Sequence, residues 1–206
     1  MSMKTFTLIG FGEAGAIFGE DLATSGVTVY AYDRLQENPS TRAALYYKAD
    51  QCGVLLCDSF AHAIARADWV ISAVTADEAL AVSQAAAVLM RPDQLFIDIN
   101  SVAPSTKRAA FAAMQRHGVG YIDAAVMAPV PPQRLKTPIL LGGAVAGQVA
   151  EQLAALGMNV RRVSDEVGDA YPEVRAHRAD CRFRDCRHLN DAGCAVIAHL
   201  APSRAE

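Results

Sequence analysis

Lys4-Thr5-Phe6-Thr7-Leu8-Ile9-Gly10-Phe11-Gly12-Glu13-Ala14-Gly15 decides the fold of this 206-residue chain. A run of strand character enters a G-x-G-x-x-G turn, and Glu13 to Ser25 beyond it reads as a helix. Each glycine has a task. Gly10 permits the tight turn, Gly12 lets the backbone approach a pyrophosphate, and Gly15 lets the helix pack closely on the strand. The start of the helix offers unpaired N–H groups and a positive dipole end to the phosphates. A second strand, Val27-Thr28-Val29-Tyr30-Ala31-Tyr32, ends at Asp33, 18 residues beyond Gly15. A carboxylate at that place accepts both ribose hydroxyls of an adenosine and repels a 2′-phosphate, which favours NAD. Arg34 follows at once and can pair with such a phosphate, so NADP stays open as the alternative cofactor.

Outward from this unit, strand and helix patterns alternate. Gln36 to Ser40 reads as a polar loop and Thr41 to Cys52 as a helix ended by Gly53. Strands follow at 54–57, 68–74, 94–99, 119–124 and 138–141, with a further one at 159–163. Helices are expected at Thr75 to Met90, Pro104 to His117 and Val145 to Leu156, and a shorter one capped by Ser59. Near-continuous apolar strands suit burial on both faces. The expectation is therefore an α/β fold, a Rossmann-type doubly wound, mostly parallel sheet, over residues 1–170. Ligands of such sheets bind beyond the carboxyl ends of the strands. Val74-Thr75-Ala76 and Asn100 to Lys107 should then face the same crevice as the glycine turn. Asn100, Ser101 and Thr106 bring hydrogen-bonding groups there, and Lys107 a charge. Lys107 and His117 are the candidates to take a proton from a bound hydroxyl, and otherwise read as surface groups of one helix.

With 52% hydrophobic and 20% charged residues the chain can bury a sizeable core and is not of the disordered class. A net charge of −3 gives no reason to expect broad nucleic-acid affinity. No signal-peptide pattern and no 18-residue apolar span is apparent, so a cytoplasmic protein without a membrane partner is expected. Five cysteines without secretion cues argue against a disulfide framework. Cys52 and Cys57 read as buried thiols.

From Met3 to about Ala170 the chain resembles the nucleotide-binding domain of the 6-phosphogluconate dehydrogenase and 3-hydroxyisobutyrate dehydrogenase superfamily. The glycine turn, Asp98-Ile99-Asn100-Ser101-Val102-Ala103-Pro104 and Asp123-Ala124-Ala125-Val126 match its landmarks in order. Met127-Ala128-Pro129-Val130-Pro131-Pro132 replaces the more usual Ser-Gly-Gly segment. The resemblance implies hydride transfer between a small β-hydroxy acid and a nicotinamide, with Val74 and Thr75 near the cofactor and Ser101 near the substrate. It also implies a long interdomain helix with a catalytic lysine, and an all-helical second domain. Val174 stands at the approximate lysine position, and no Lys follows Lys136. Cofactor binding is thus expected more firmly than turnover. A partner chain would supply the helical part, a partner chain or homo-oligomer is the expected assembly, and apolar surface is expected around Met127 to Pro132 and the last strand.

Residues 171–206 read as a separate unit. Cys181, Cys186, His188 and Cys194 stand in C-x4-C-x-H-x5-C spacing, and three thiolates with one imidazole can close a structural zinc shell. Arg182, Arg184 and Arg187 would favour the thiolates. The expectation is a short, irregular zinc-knuckle tail. Residues 171–198 resemble the zinc-binding segment of ribosome-small-subunit-dependent GTPases, but no G-x-x-x-x-G-K-[ST] sequence accompanies it. Three readings stay open: an oxidoreductase domain, a non-catalytic dinucleotide and zinc module docking ribosome or RNA, and a fusion of unrelated segments near Ala170.

Overall fold

The computed structural model describes residues 4–167, together with Asp180, Arg182 and Ala195. β1 (Phe6–Ile9) is buried at every position, and the sheet grows from it in both directions. It pairs in parallel with β2 (Val29–Tyr32), Phe6 opposite Val29. On its other side lies β4 (Trp69–Ser72), also parallel, with Phe6 opposite Trp69. β3 (Leu55–Leu56) forms the edge beyond β2. β5 (Leu95–Asp98), β6 (Gly120–Val126), β7 (Ile139–Gly142) and β8 (Val160–Ser164) continue beyond β4. The strand order is β3-β2-β1-β4-β5-β6-β7-β8. β6 and β7 run antiparallel, whereas β7 and β8 are again parallel. The first six strands thus follow the 3-2-1-4-5-6 order, in which the direction of winding reverses between β1 and β4.

The helices are α1 (Glu13–Thr24), α2 (Pro39–Gln51), α3 (Phe60–Arg66), α4 (Ala79–Leu89), α5 (Pro104–Arg116), the single turn α6 (Val130–Gln133) and α7 (Ala146–Ala155). They divide between the faces of the sheet because the strands alternate. Phe6 and Leu8, with Ile71 and Ile97, face a core closed by Phe18 and Leu22 of α1, Leu45 of α2 and Leu153 of α7. Ile9, Val70 and Phe96 face the other core, closed by Ile64 of α3, Ala86 of α4 and Met114 of α5. Thr7 also points to this second face, where its hydroxyl donates to the Ala63 carbonyl at 2.8 Å. Small alanines on α3, α4 and α5 let these helices lie close to the sheet.

Two boundaries differ from the sequence reading. Arg34–Glu37 is a 3-10 turn rather than loop, and α2 begins at Pro39. Asn38 caps it through a side chain accepting from Ser40 N, and proline is suited to the first helical position. The helix after β4 begins at Ala79, not Thr75, because Glu78 N turns back to the Thr75 carbonyl at 3.1 Å. That leaves Thr75 exposed on the loop. The expected apolar exposure is also corrected in part. β8 is exposed mainly through Arg161 and Arg162, whose charges suit an edge, and Val130 is buried. Met127 remains 41% exposed. Among the described residues no helix is long and apolar enough to cross a membrane.

Candidate functional site

The glycine turn is tied to the end of β2. Gly10 N donates to the Tyr32 carbonyl at 2.9 Å. Phe11 N donates to Asp33 Oδ2 at 2.8 Å, and Leu35 N to Asp33 Oδ1 at 2.9 Å. Two backbone donors therefore fix the Asp33 carboxylate beside the turn, with lone pairs left on both oxygens. Gly10 has φ +92°, and a Cβ there would stand 2.3 Å from the Ala73 carbonyl oxygen. A Cβ at Gly15 would stand 2.2 Å from the Gly10 carbonyl oxygen. Gly12 differs: a Cβ there would meet nothing within 4 Å. Gly10 and Gly15 are demanded by the protein's own packing, while Gly12 borders open space. α1 has no side-chain cap at Gly12, so its first N–H groups are available to an anion. These features fit the pyrophosphate of a dinucleotide.

Lys48 of α2 completes the turn, although nothing in its local sequence marks it. Its Nζ donates to the carbonyls of Phe11 and Gly12, each at 2.8 Å, and lies 5.2 Å from the Phe11 ring centre. It braces the turn and places positive charge beside it.

Two cavities meet at Ala73 and Val74, at the carboxyl ends of β1, β2, β4 and β5. The first, about 450 Å³, is lined by Gly10, Gly12, Asp33, Arg34, Val74 and Thr75, with Tyr32, Phe60 and Glu78. The second, about 420 Å³, is lined by Glu13, Ala14, Asn100 and Ser101, with Val126 and Pro129. Both are of the size that small ligands occupy. The structure therefore brings Gly10, Gly12, Glu13, Ala14, Asp33, Arg34, Val74, Thr75, Asn100 and Ser101 to one crevice, whereas Thr106 and Lys107 line neither cavity. Phe11 and Gly15 are buried and act through backbone and packing.

At the rim of the first cavity Arg34 Nη1 lies 2.6 Å from Glu78 Oε1, spanning from the end of β2 to the start of α4. A hydrogen bond with Thr75, reinforced by Arg34, holds the Asp77 carboxyl below its ordinary range. In the wall, burial and then the hydrogen bond to Glu37 push the Tyr32 phenol up to about 12. That bond is 2.5 Å long.

Asn100 does not aim its side chain into the crevice. Its Oδ1 accepts from Val74 N at 2.8 Å, and its Nδ2 donates to Asp98 Oδ1 at 2.7 Å and Ser72 Oγ at 3.0 Å. It acts as a strut between the two loops that line the cavities. Ser101 is exposed at the lip.

Lys107 corrects the sequence reading outright. It is no surface group: its side chain is 2% exposed. Nζ donates to the Asp98 carbonyl at 2.7 Å and lies 3.1 Å from Asp98 Oδ1 and 3.2 Å from Asp123 Oδ1. Tyr121 donates its hydroxyl to Asp98 Oδ2 at 2.7 Å, and burial followed by the Asp98 charge drives its phenol pKa far upward. One buried lysine thus sits between carboxylates on neighbouring strands, linked through Asp98 and Asn100 to the crevice. His117, by contrast, is exposed as expected.

Cys57 is buried as expected, whereas Cys52 is only half-buried; burial pushes both thiols up. Cys181, Cys186, His188 and Cys194 lie outside the described residues. Among the described residues no cluster of His, Cys, Asp and Glu could hold a metal ion.

Comparison with known proteins agrees with this geometry. The chain resembles a conserved hypothetical protein from Sinorhizobium meliloti 1021, with 38% identity and a TM-score of 0.80, over 86% of this chain and 60% of that one. It also resembles a conserved protein of unknown function described as structurally similar to 3-hydroxyacid dehydrogenases. The identity there is 29% and the TM-score 0.70, over 85% of this chain and 63% of that one. The chain therefore spans about 60% of these solved relatives. A further match, to the small ribosomal subunit biogenesis GTPase RsgA of Burkholderia mallei (strain SAVP1), is 49% identical over 35 residues, 17% of this chain and 11% of that protein. Residues 5–163 match the family described as the NAD binding domain of 6-phosphogluconate dehydrogenase. The sheet order and the tethered acid are what such a domain requires, and with most of its length matched the chain belongs to that family.

Proposed function

We propose that this chain is the coenzyme-binding part of a nicotinamide-dependent oxidoreductase acting on a small hydroxy acid. One observation carries the reading: Asp33, held by Phe11 N and Leu35 N, borders a cavity that passes the uncapped start of α1. Asp33 takes the adenosine ribose hydroxyls, which favours NAD over NADP. Gly12, Glu13 and Ala14 present backbone N–H groups to the phosphates. Val74 and Thr75 flank the coenzyme, Asn100 holds the Val74 loop in place, and Ser101 meets the substrate at the lip. The nicotinamide, when bound, exchanges a hydride with the substrate carbon. The hydroxyl proton needs an acceptor. No Lys follows Lys136, and the chain spans about 60% of its solved relatives. We assign that acceptor, and the rest of the substrate pocket, to structure outside the described residues.

Fluorescence titration with NADH and NADPH tests the coenzyme site. Saturable binding is expected, tighter for NADH, and Asp33→Ala should narrow that preference. Absence of binding by both nucleotides would reject the reading. Oxidation of a panel of β-hydroxy acids with either coenzyme tests the chemistry.

The 35-residue GTPase match favours a second, separable unit at 171–206. There Cys181, Cys186, His188 and Cys194 would hold one structural zinc, and the unit would offer a docking point for ribosome or RNA. Metal analysis should find about one zinc per chain and its loss in Cys181→Ser/Cys194→Ser. Equal recovery of small ribosomal subunits by the chain with and without 171–206 would refute the docking role.

A further inference from the structure

We infer that Glu78 is a coenzyme-selecting residue, acting by holding Arg34 away from the position of a 2′-phosphate. The inference rests on the coenzyme site proposed above. Among the described residues lining the first cavity, Arg34 is the one cation, while Asp33 and Glu78 are acids. Arg34 directly follows the ribose-binding position, so its guanidinium is the group placed to meet a phosphate on that ribose. Its Nη1 instead lies 2.6 Å from Glu78 Oε1, across the rim. The Arg34 side chain is 68% exposed and that of Glu78 35% exposed. An ion pair this exposed is soft, worth up to about fivefold in an equilibrium. A phosphate must therefore compete with Glu78 for Arg34, and it must also approach the carboxylates of Asp33 and Glu78. Guanidinium binds phosphate and carboxylate in the same forked geometry, which makes the competition direct. Glu78 belongs to neither the glycine turn nor the end of β2. It arrives from the loop after β4, so a reading confined to the β1-α1-β2 unit misses it.

The test compares NADH and NADPH dissociation constants for the full chain and its Glu78→Gln, Arg34→Ala and Arg34→Ala/Glu78→Gln variants. Glutamine keeps the shape of the half-exposed glutamate, so the fold is retained. Releasing Arg34 and removing one repelling charge should lower the ratio of NADPH to NADH dissociation constants about tenfold in Glu78→Gln. The shift should shrink at about 0.5 M salt, as expected of an exposed charge effect. It should be largely absent in the Arg34→Ala background. An unchanged ratio in Glu78→Gln overturns the inference. So does an equal shift without Arg34, which would make Glu78 a simple repelling charge. If the unaltered chain binds neither nucleotide, the coenzyme site itself falls and this inference with it, an outcome distinct from binding with an unmoved ratio.

Discussion

Replacing Lys107 with methionine removes a charge from the sealed interior while nearly keeping the side chain's length. In the native arrangement Nζ is 3.1 Å from Asp98 Oδ1 and 3.2 Å from Asp123 Oδ1. At an effective dielectric of about 20, each contact is worth roughly 5 kcal/mol of Coulomb attraction. Much of this is offset by desolvation, and breaking a buried pair from one side costs about 3–5 kcal/mol net. Asp98 retains Asn100 N, Asn100 Nδ2 and the Tyr121 hydroxyl as donors, which places the expected loss near the middle, about 4 kcal/mol. For a domain of this size that is a fall in Tm of roughly 8–16 °C. Urea unfolding should show a lower midpoint with an unchanged m-value. The double variant Lys107→Met/Asp123→Asn removes part of the stranded charge. It should be more stable than the sum of the single effects predicts by about 1 kcal/mol or more. A loss below about 1 kcal/mol in Lys107→Met, or strict additivity in the double variant, would refute the buried ion-pair account.

Three further outcomes follow from the described geometry. Gly15→Ala forces a Cβ to 2.2 Å from the Gly10 carbonyl oxygen, so backbone must move; about 3 kcal/mol or more of stability should be lost, read by urea unfolding. Because the Tyr32 phenol is raised to about 12 in the fold, the unfolded chain gives up this proton first. The stability it confers is complete below its unfolded value near 10, and a Tyr32→Phe variant should lose less than the native chain as pH rises from there through about 12 in denaturation series. Asn100→Ala removes the strut to Val74 N; nucleotide affinity by fluorescence titration should fall about tenfold, and Asn100→Asp should restore little, since it sets a second carboxylate against Asp98.

The coenzyme unit was legible because its requirements are local. A turn that needs φ +92° at Gly10 and no Cβ at Gly15 leaves its mark within six letters. A strand that must end in an acid leaves its mark at Asp33. Lys107 was not legible, because burying a lysine depends on where Asp98 and Asp123 fall on two separate strands. Helical spacing alone places Lys107 near a polar loop, and only strand register reveals the carboxylates opposite each other. Asn100 lines the second cavity, but its partners Ser72 and Val74 belong to the preceding strand and loop. Their reach could not be read from order along the chain. Pro39 lies within the polar run from Gln36 to Ser40 and so reads as loop, yet proline also serves as a first helical residue, and α2 starts there.

β8 has a consequence for how the sheet ends among the described residues. A long, flat, uncharged border strand invites another chain to pair with it and begin a fibre or aggregate. Here one border, β3, has only two residues, too few for a stable ladder. The other, β8, carries exposed Arg161 and Arg162, with Arg162 Nη2 paired to Asp165 at 2.5 Å. Among the described residues, shortness guards one side and charge the other, so growth strand by strand into a larger sheet is disfavoured at both borders.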